Sequence, residues 1–190
     1  MKKFVVVFAT LLPAFFTSAH AAETYAIDPT HTFPGFEINH LGFSTFRGRF
    51  DKTSGTITLD VAKKTGSADI TIDVASVSTG VAKLDEHLLK DDFFDVAKYP
   101  TIVFKSKDFK FKGDKLSAVQ GDLTMHGVTK PVTLTVSSFV CKEHPLKKIQ
   151  ACGADASVKI QRSQWGITTY SPNVGEEVTL QIEIEAHKLP

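Results

Sequence analysis

The sequence predicts an all-β fold, an antiparallel sandwich or barrel interrupted by one short helix. Apolar and polar residues alternate along most of the chain, short turns rich in Gly, Asp and Pro join the alternating runs, and a single stretch changes to a helical period. Alternation with period two places every second side chain on one face, as a half-buried sheet requires. A barrel has the advantage over a sandwich because closure leaves no unpaired edge to recruit other chains.

Within residues 55–60, Ile57 and Leu59 share a face; within 69–74, Ile70, Ile72 and Val74 do. Residues 101–104 and 108–112 read as two short strands, the second with Phe109 and Phe111 on one side. Leu123 and Met125 align in 121–125, Val132, Leu134 and Val136 alternate with threonines, and Val158 with Ile160 repeats the pattern. The longest run is the last: Val178, Leu180, Ile182, Ile184 and Ala186. Turns are expected at 64–67, 112–115, 126–131 and 171–175. Residues 78–90 break the rhythm. Val81, Leu84 and Leu88 fall at i, i+3 and i+7, which predicts a helix from about Val81 with Ser78 or Thr79 as its cap. A helix this short gains most of its stability from docking, here across an end or side of the sheet.

Residues 1–21 read as a cleaved secretory signal: Lys2 and Lys3, an apolar run from Phe4 to Phe16 broken by Pro13, then Ala19 and Ala21 at A-x-A spacing. That run is shorter than the ~20 residues needed to span a bilayer. Residues 22–190 then form one domain in which 20 basic residues face 21 acidic ones once Lys2 and Lys3 are gone, a net charge of −1. A polyanion or nucleic-acid binder would carry a strong basic footprint, so that class is excluded. In an oxidising compartment Cys141 and Cys152, with ten residues between them, read as a short disulfide that clips the loop 140–153.

Catalytic and metal signatures are absent from the sequence. It contains no G-x-S-x-G elbow, H-E-x-x-H helix, Gly-rich phosphate loop or paired-cysteine zinc motif. His31, His40 and His87 are scattered without metal-ligand spacing, and Asp91, Asp92 and Asp95 read as a solvated helix-to-loop junction. The expectation is a non-enzyme with no metal and no cofactor. The many phenylalanines fit either a packed core or an apolar tunnel, because a small barrel is wide enough for side chains to fill it or for one slender ligand.

Several segments together resemble the YceI-like family of bacterial periplasmic proteins, also called the polyisoprenoid-binding family. They are 24–28 (TYAID), 36–43 (FEINHLGF), 46–50 (FRGRF), 84–95 (LDEHLLKDDFFD), 97–104 (AKYPTIVF), 121–132 (GDLTMHGVTKPV) and 165–167 (WGI), followed by the final alternating strand. The resemblance implies an extended, lipocalin-like antiparallel barrel of about eight strands with a helical segment and a long apolar lumen. It implies binding of a long-chain isoprenoid lipid, such as a polyprenyl compound or isoprenoid quinone, in the periplasm, with transient membrane contact and a homodimer as further expectations. Phe36, Ile38, Phe43 and Phe46 are the first lumen candidates. Leu84 and Leu88 are placed to close the tunnel, with Phe93 and Phe94 near its mouth. Leu123, Met125, Leu134, Trp165 and Ile182 follow from later strands, and Asp85, His87 or Arg162 are candidates for a polar headgroup. The competing function is an envelope stress or maintenance interaction protein whose barrel is mainly structural.

Overall fold

The computed structural model describes residues 22–190; the signal reading concerns residues 1–21 and lies outside the described residues. The strands are β1 (Glu23–Ile27), β2 (Gly35–His40), β3 (Ser44–Phe50), β4 (Thr53–Asp60), β5 (Thr65–Asp73) and β6 (Val77–Ser78). The helix α1 (Ala82–Leu88) follows, then β7 (Thr101–Lys112), β8 (Lys115–Met125), β9 (Val128–Glu143), β10 (Gln150–Gln161) and β11 (Val174–Lys188). Strands β1, β4, β5, β7, β8, β9, β10 and β11 pair in that order and β11 pairs back to β1, closing an eight-stranded antiparallel barrel.

On the edge away from β10, strand β11 serves two neighbours. Its end at Ala186–Lys188 pairs with β1, while Val174–Gln181 pairs with β2, from which β3 and β6 continue. The chain passes from β1 to β2 through residues 28–34, and α1 lies at the β2–β3 end. One apolar cluster at that end gathers Phe50, Val74, Leu88, Met125, Trp165 and Ile167. A second apolar cluster, at the opposite end, gathers Tyr25, Leu59, Phe109, Leu116, Cys152 and Ala186.

Several sequence expectations change in detail. Residues 101–104 and 108–112 belong to one continuous strand, β7, whose register shifts between Ser106 and Asp108. Phe104 and Phe109 are five apart and would lie on opposite faces of a regular strand. The bulge resets the alternation, so both line the lumen. The turn expected at 64–67 ends earlier, with Lys64 at φ 57° and β5 beginning at Thr65. The turn expected over 126–131 contracts to His126 and Gly127, at φ 49° and 73°, which is the two-residue hairpin geometry that matches sheet twist. Pro131 therefore sits within β9, opposite Asp122.

The helix starts where the helical spacing of Val81, Leu84 and Leu88 placed it but is capped differently. Val81 is the N-cap and makes no side-chain cap bond. Asp85 instead reaches back, accepting hydrogen bonds from the Thr79 amide at 2.8 Å and the Thr79 hydroxyl at 2.6 Å. Cys141 and Cys152 form the expected disulfide, although residues 140–153 are not simply a loop. The two cysteines are direct register partners on β9 and β10, 4.1 Å apart at Cα, and the true connection spans only residues 144–149.

Candidate functional site

The barrel encloses a cavity of about 440 Å³ with an almost wholly apolar wall. Every strand except β1 and β6 supplies residues to it, mostly alternate ones, for example Phe36 and Ile38 from β2, Leu134 and Val136 from β9, and Leu180, Ile182 and Ile184 from β11. This is period-two patterning turned into a lumen, with threonines and charged residues displaced to the outer face. The far end is lined by Leu59, Phe109, Leu116, Phe139 and Cys152. At the α1 end the wall is made by His40, Phe46, Leu84, His87, Phe93 and Tyr170.

Most of the site residues expected from sequence meet in this wall. Phe36, Ile38, Phe46, Leu84, His87, Leu88, Phe93, Phe94, Leu123, Met125, Leu134, Arg162 and Ile182 all line it. Three others do not. Phe43 sits at the β2–β3 tip with its side chain 89% exposed, because the left-handed turn at Leu41 and Gly42 carries it past the end of the barrel. Asp85 is committed to the Thr79 backbone and hydroxyl at the helix entrance. Trp165 is buried in the end cluster, where its indole donates to the Leu123 carbonyl at 3.2 Å.

Arg162 lines the cavity but is not a free headgroup ligand. Its guanidinium donates to the carbonyls of Gly175 (2.9 Å), Ile167 (3.2 Å), Thr169 (2.8 Å) and Val174 (3.1 Å). Burial pushes its pKa down, while the neighbouring Glu176 carboxylate works in the opposite sense. The side chain holds residues 166–175 against the barrel end. His87 is also engaged, with Nε2 2.9 Å from Asp92 Oδ2 and its ring edge-on to Phe93 at 5.1 Å and to Tyr170 at 6.1 Å. These contacts tie α1 and its following turn to the residue 170 loop.

Three wall residues carried no recognisable signal. Tyr170 lies in a turn, and Phe104 was hidden by the β7 bulge. Thr53 opens β4, is 4% exposed, and lines the cavity with its hydroxyl buried and without a hydrogen-bond partner. A buried polar atom facing an apolar chamber is a position where the polar end of a ligand or a water is stabilised.

Known proteins share both sequence and fold. The YceI-like domain family matches residues 25–186. Protein YceI of Salmonella arizonae and of Salmonella heidelberg are each 38% identical over 97% of this chain and 97% of their own length. Among solved structures, Burkholderia cenocepacia BcnA superposes with a TM-score of 0.72 at 25% identity, covering 84% of this chain and 98% of its own. The Campylobacter jejuni YCEI protein gives 0.70 at 26% identity, covering 97% of this chain and all of its own. A polyisoprenoid binding domain from Saccharophagus degradans, implicated in plant cell wall breakdown, shares the fold with a TM-score of 0.64 at 18% identity, covering 87% of this chain and 98% of its own. With the family match spanning nearly all the described residues and full-length relatives at 38% identity, this chain belongs to the YceI family.

Proposed function

We propose that this protein is an exported periplasmic carrier that holds the chain of an isoprenoid lipid, a polyprenyl compound or isoprenoid quinone, inside its barrel without altering it chemically. The observation that carries the reading is the cavity: a closed barrel whose lumen is open space walled by Phe, Ile, Leu and Val rather than filled by them. Each methylene withdrawn from water contributes about 0.8 kcal/mol, so a branched hydrocarbon chain gains ample affinity from such a wall. Kinship with the YceI family and the fold shared with a polyisoprenoid binding domain support the same ligand class. The leader-like residues 1–21 and the Cys141–Cys152 disulfide support export.

Binding without turnover fits the way two polar groups of the wall are used, Arg162 donating to backbone carbonyls and His87 pairing with Asp92. Thr53 is one group available to a ligand's polar end. Membrane contact belongs to the same proposal. Leu41 and Phe43, 50% and 89% exposed, project beside the wall residues His40 and Phe46. A barrel serving only as a structural platform would gain more stability from a packed lumen.

Native purification, organic extraction and mass spectrometry test the proposal. The expected result is one lipid per protein with isoprenoid repeat masses. Absence of stoichiometric lipid, together with failure of the delipidated protein to take up a polyprenol or a quinone, overturns it.

A further inference from the structure

A second cluster of chemistry-bearing side chains lies outside the cavity wall, where residues 28–34 cross β11 between β1 and β2. Asp28 is 5% exposed, and its Oδ1 accepts hydrogen bonds from the Thr30 amide at 2.9 Å and the Thr30 hydroxyl at 2.6 Å. Those bonds fix the carboxylate and leave Oδ2 to its other neighbours. Oδ2 lies 3.0 Å from His31 Nδ1 and 3.5 Å from His187 Nε2. Ligand atoms of Asp28, His31 and Glu185 all lie within 4.8 Å of one another.

The backbone beneath is pinned. The Asp28 amide donates to the Glu185 carbonyl at 2.9 Å, and the fully buried Thr32 hydroxyl exchanges hydrogen bonds with the Glu185 backbone at 3.0 and 3.1 Å. One atom stands out in this setting. His187 Nε2 is buried and closes no hydrogen bond, although Asp28 Oδ2 is near. Buried polar atoms nearly always have a partner, and an ion is one way to supply it.

The geometry points to a divalent transition-metal site of the zinc class built from Asp28, His31 and Glu185, with His187 Nε2, beside Asp28 Oδ2, as the fourth donor that turns in to complete it. Two imidazoles and two carboxylates are a donor set suited to such an ion. Bonds of about 2.0–2.1 Å in a tetrahedron place neighbouring donors roughly 3.3 Å apart, near the 3.0 and 3.5 Å that separate Asp28 Oδ2 from His31 and His187, while Glu185, within 4.8 Å of Asp28 and His31, closes in on the ion by a side-chain rotation. Thr30 acts as the outer support that orients a ligating carboxylate.

Lys147 is the rival for this place. Its ammonium lies 3.4 Å from Asp28 Oδ2 and 3.4 Å from His187 Nδ1. An ammonium can only donate, so it makes Nδ1 the acceptor and leaves the ring proton on Nε2, opposite to what ligation through Nε2 needs. Metal and Lys147 therefore compete. Lys147 stands in the β9–β10 connection with its side chain 48% exposed, free to move into solvent when an ion enters. The sequence held no compact metal motif because the ligands come as two distant pairs, 28 with 31 and 185 with 187.

The test is calorimetric titration of the untagged full-length mature protein with Zn²⁺ alone, repeated with Co²⁺ to read tetrahedral d–d absorption. Expected are one site per chain, affinity reduced roughly tenfold or more in His31→Ala and His187→Ala, and tighter binding in Lys147→Ala. His31 is 57% exposed, so its replacement leaves the fold intact and keeps the test decisive if His187→Ala misfolds. Lack of saturable binding, binding unchanged in His31→Ala, or weaker binding in Lys147→Ala overturns the assignment. The lipid reading is untouched by any of these results.

Discussion

The ring of Phe36 on β2 covers Gly48, its register partner on β3, with its Cζ and Cε atoms in the space where a Cβ at position 48 would stand. Phe104 covers Gly121 diagonally across β7 and β8, where the register partner of Gly121 is Ser106. Rings that lie along the wall do not cross the lumen, and an eight-stranded barrel that its side chains could fill keeps a chamber instead. Gly48→Val is expected to push the Phe36 ring inward. A steric penalty of about 1–3 kcal/mol corresponds to a loss of roughly tenfold or more in lipid affinity. Far-UV dichroism should show a retained barrel, and adding Phe36→Ala should restore lipid uptake. Undiminished uptake in Gly48→Val would show that the ring has another way out.

This pairing also marks the limit of what the sequence discloses. Alternation in residues 69–74 and 178–186 reports β5 and β11 faithfully because those strands keep one phase. Phe104 and Phe109 sit in opposite phase, and only the bulge at Ser106–Asp108 reconciles them. A phenylalanine beside a cross-strand glycine has the same composition whether its ring fills a core or lines a tunnel, so the cavity is a tertiary property. Phe43 and Trp165 illustrate the converse. Both are aromatic within the family-like segments, yet a left-handed turn sends one into solvent and a carbonyl partner holds the other in the end cluster.

Arg162 joins residues that no local pattern connects. Its four carbonyl partners span Ile167 to Gly175, so it closes the irregular segment before β11 onto the barrel. Arg162→Met is expected to cost about 3 kcal/mol or more, because it removes charged donors and leaves partly buried carbonyls unpaired. Arg162→Lys should recover little, since a point ammonium cannot span that fork of acceptors. Urea unfolding measures both, and a shift of less than ~1 kcal/mol for Arg162→Met would contradict this role.

The Cys141–Cys152 bond closes a short loop onto strands already paired by the β9–β10 ladder. Chain entropy assigns such a loop about 3 kcal/mol, and part of it is recovered because the hairpin limits the unfolded ensemble only locally. Cys141→Ser with Cys152→Ser is therefore expected to lower stability by about 2–3 kcal/mol without changing which lipid is bound. Differential scanning calorimetry, with and without reductant on the unmodified protein, checks the first half. Extraction and mass spectrometry check the second.

Tyr25 sets an alkaline limit. Burial, reinforced by its 2.6 Å hydrogen bond to Glu23 and by that residue's charge, raises the phenol from 10.0 to about 12. A folded-state pKa above the unfolded one means the folded state holds the proton more tightly. The contribution is complete below about pH 10 and is lost as pH rises through about 12. Urea midpoints should fall across that window in the native protein and fall less in Tyr25→Phe. Absorbance of tyrosinate at the same pH values identifies the group, and identical midpoints for the two proteins would assign the alkaline loss elsewhere.

Phe43 offers a way to separate holding a lipid from delivering it. It is 89% exposed at the β2–β3 tip, outside the cavity, so it contributes nothing to the bound state. Burying an aromatic side chain in a bilayer interface is favourable by about 1.5–3 kcal/mol, enough to prolong an encounter with a membrane and too little to anchor the protein there. Phe43→Ser is expected to leave equilibrium lipid affinity unchanged and to slow exchange of a fluorescent polyprenyl probe with phospholipid vesicles roughly tenfold. Slowed exchange at unchanged affinity places Phe43 on the transfer path. Unchanged exchange assigns membrane contact to another surface, and weakened affinity would mean that the tip closes over the ligand.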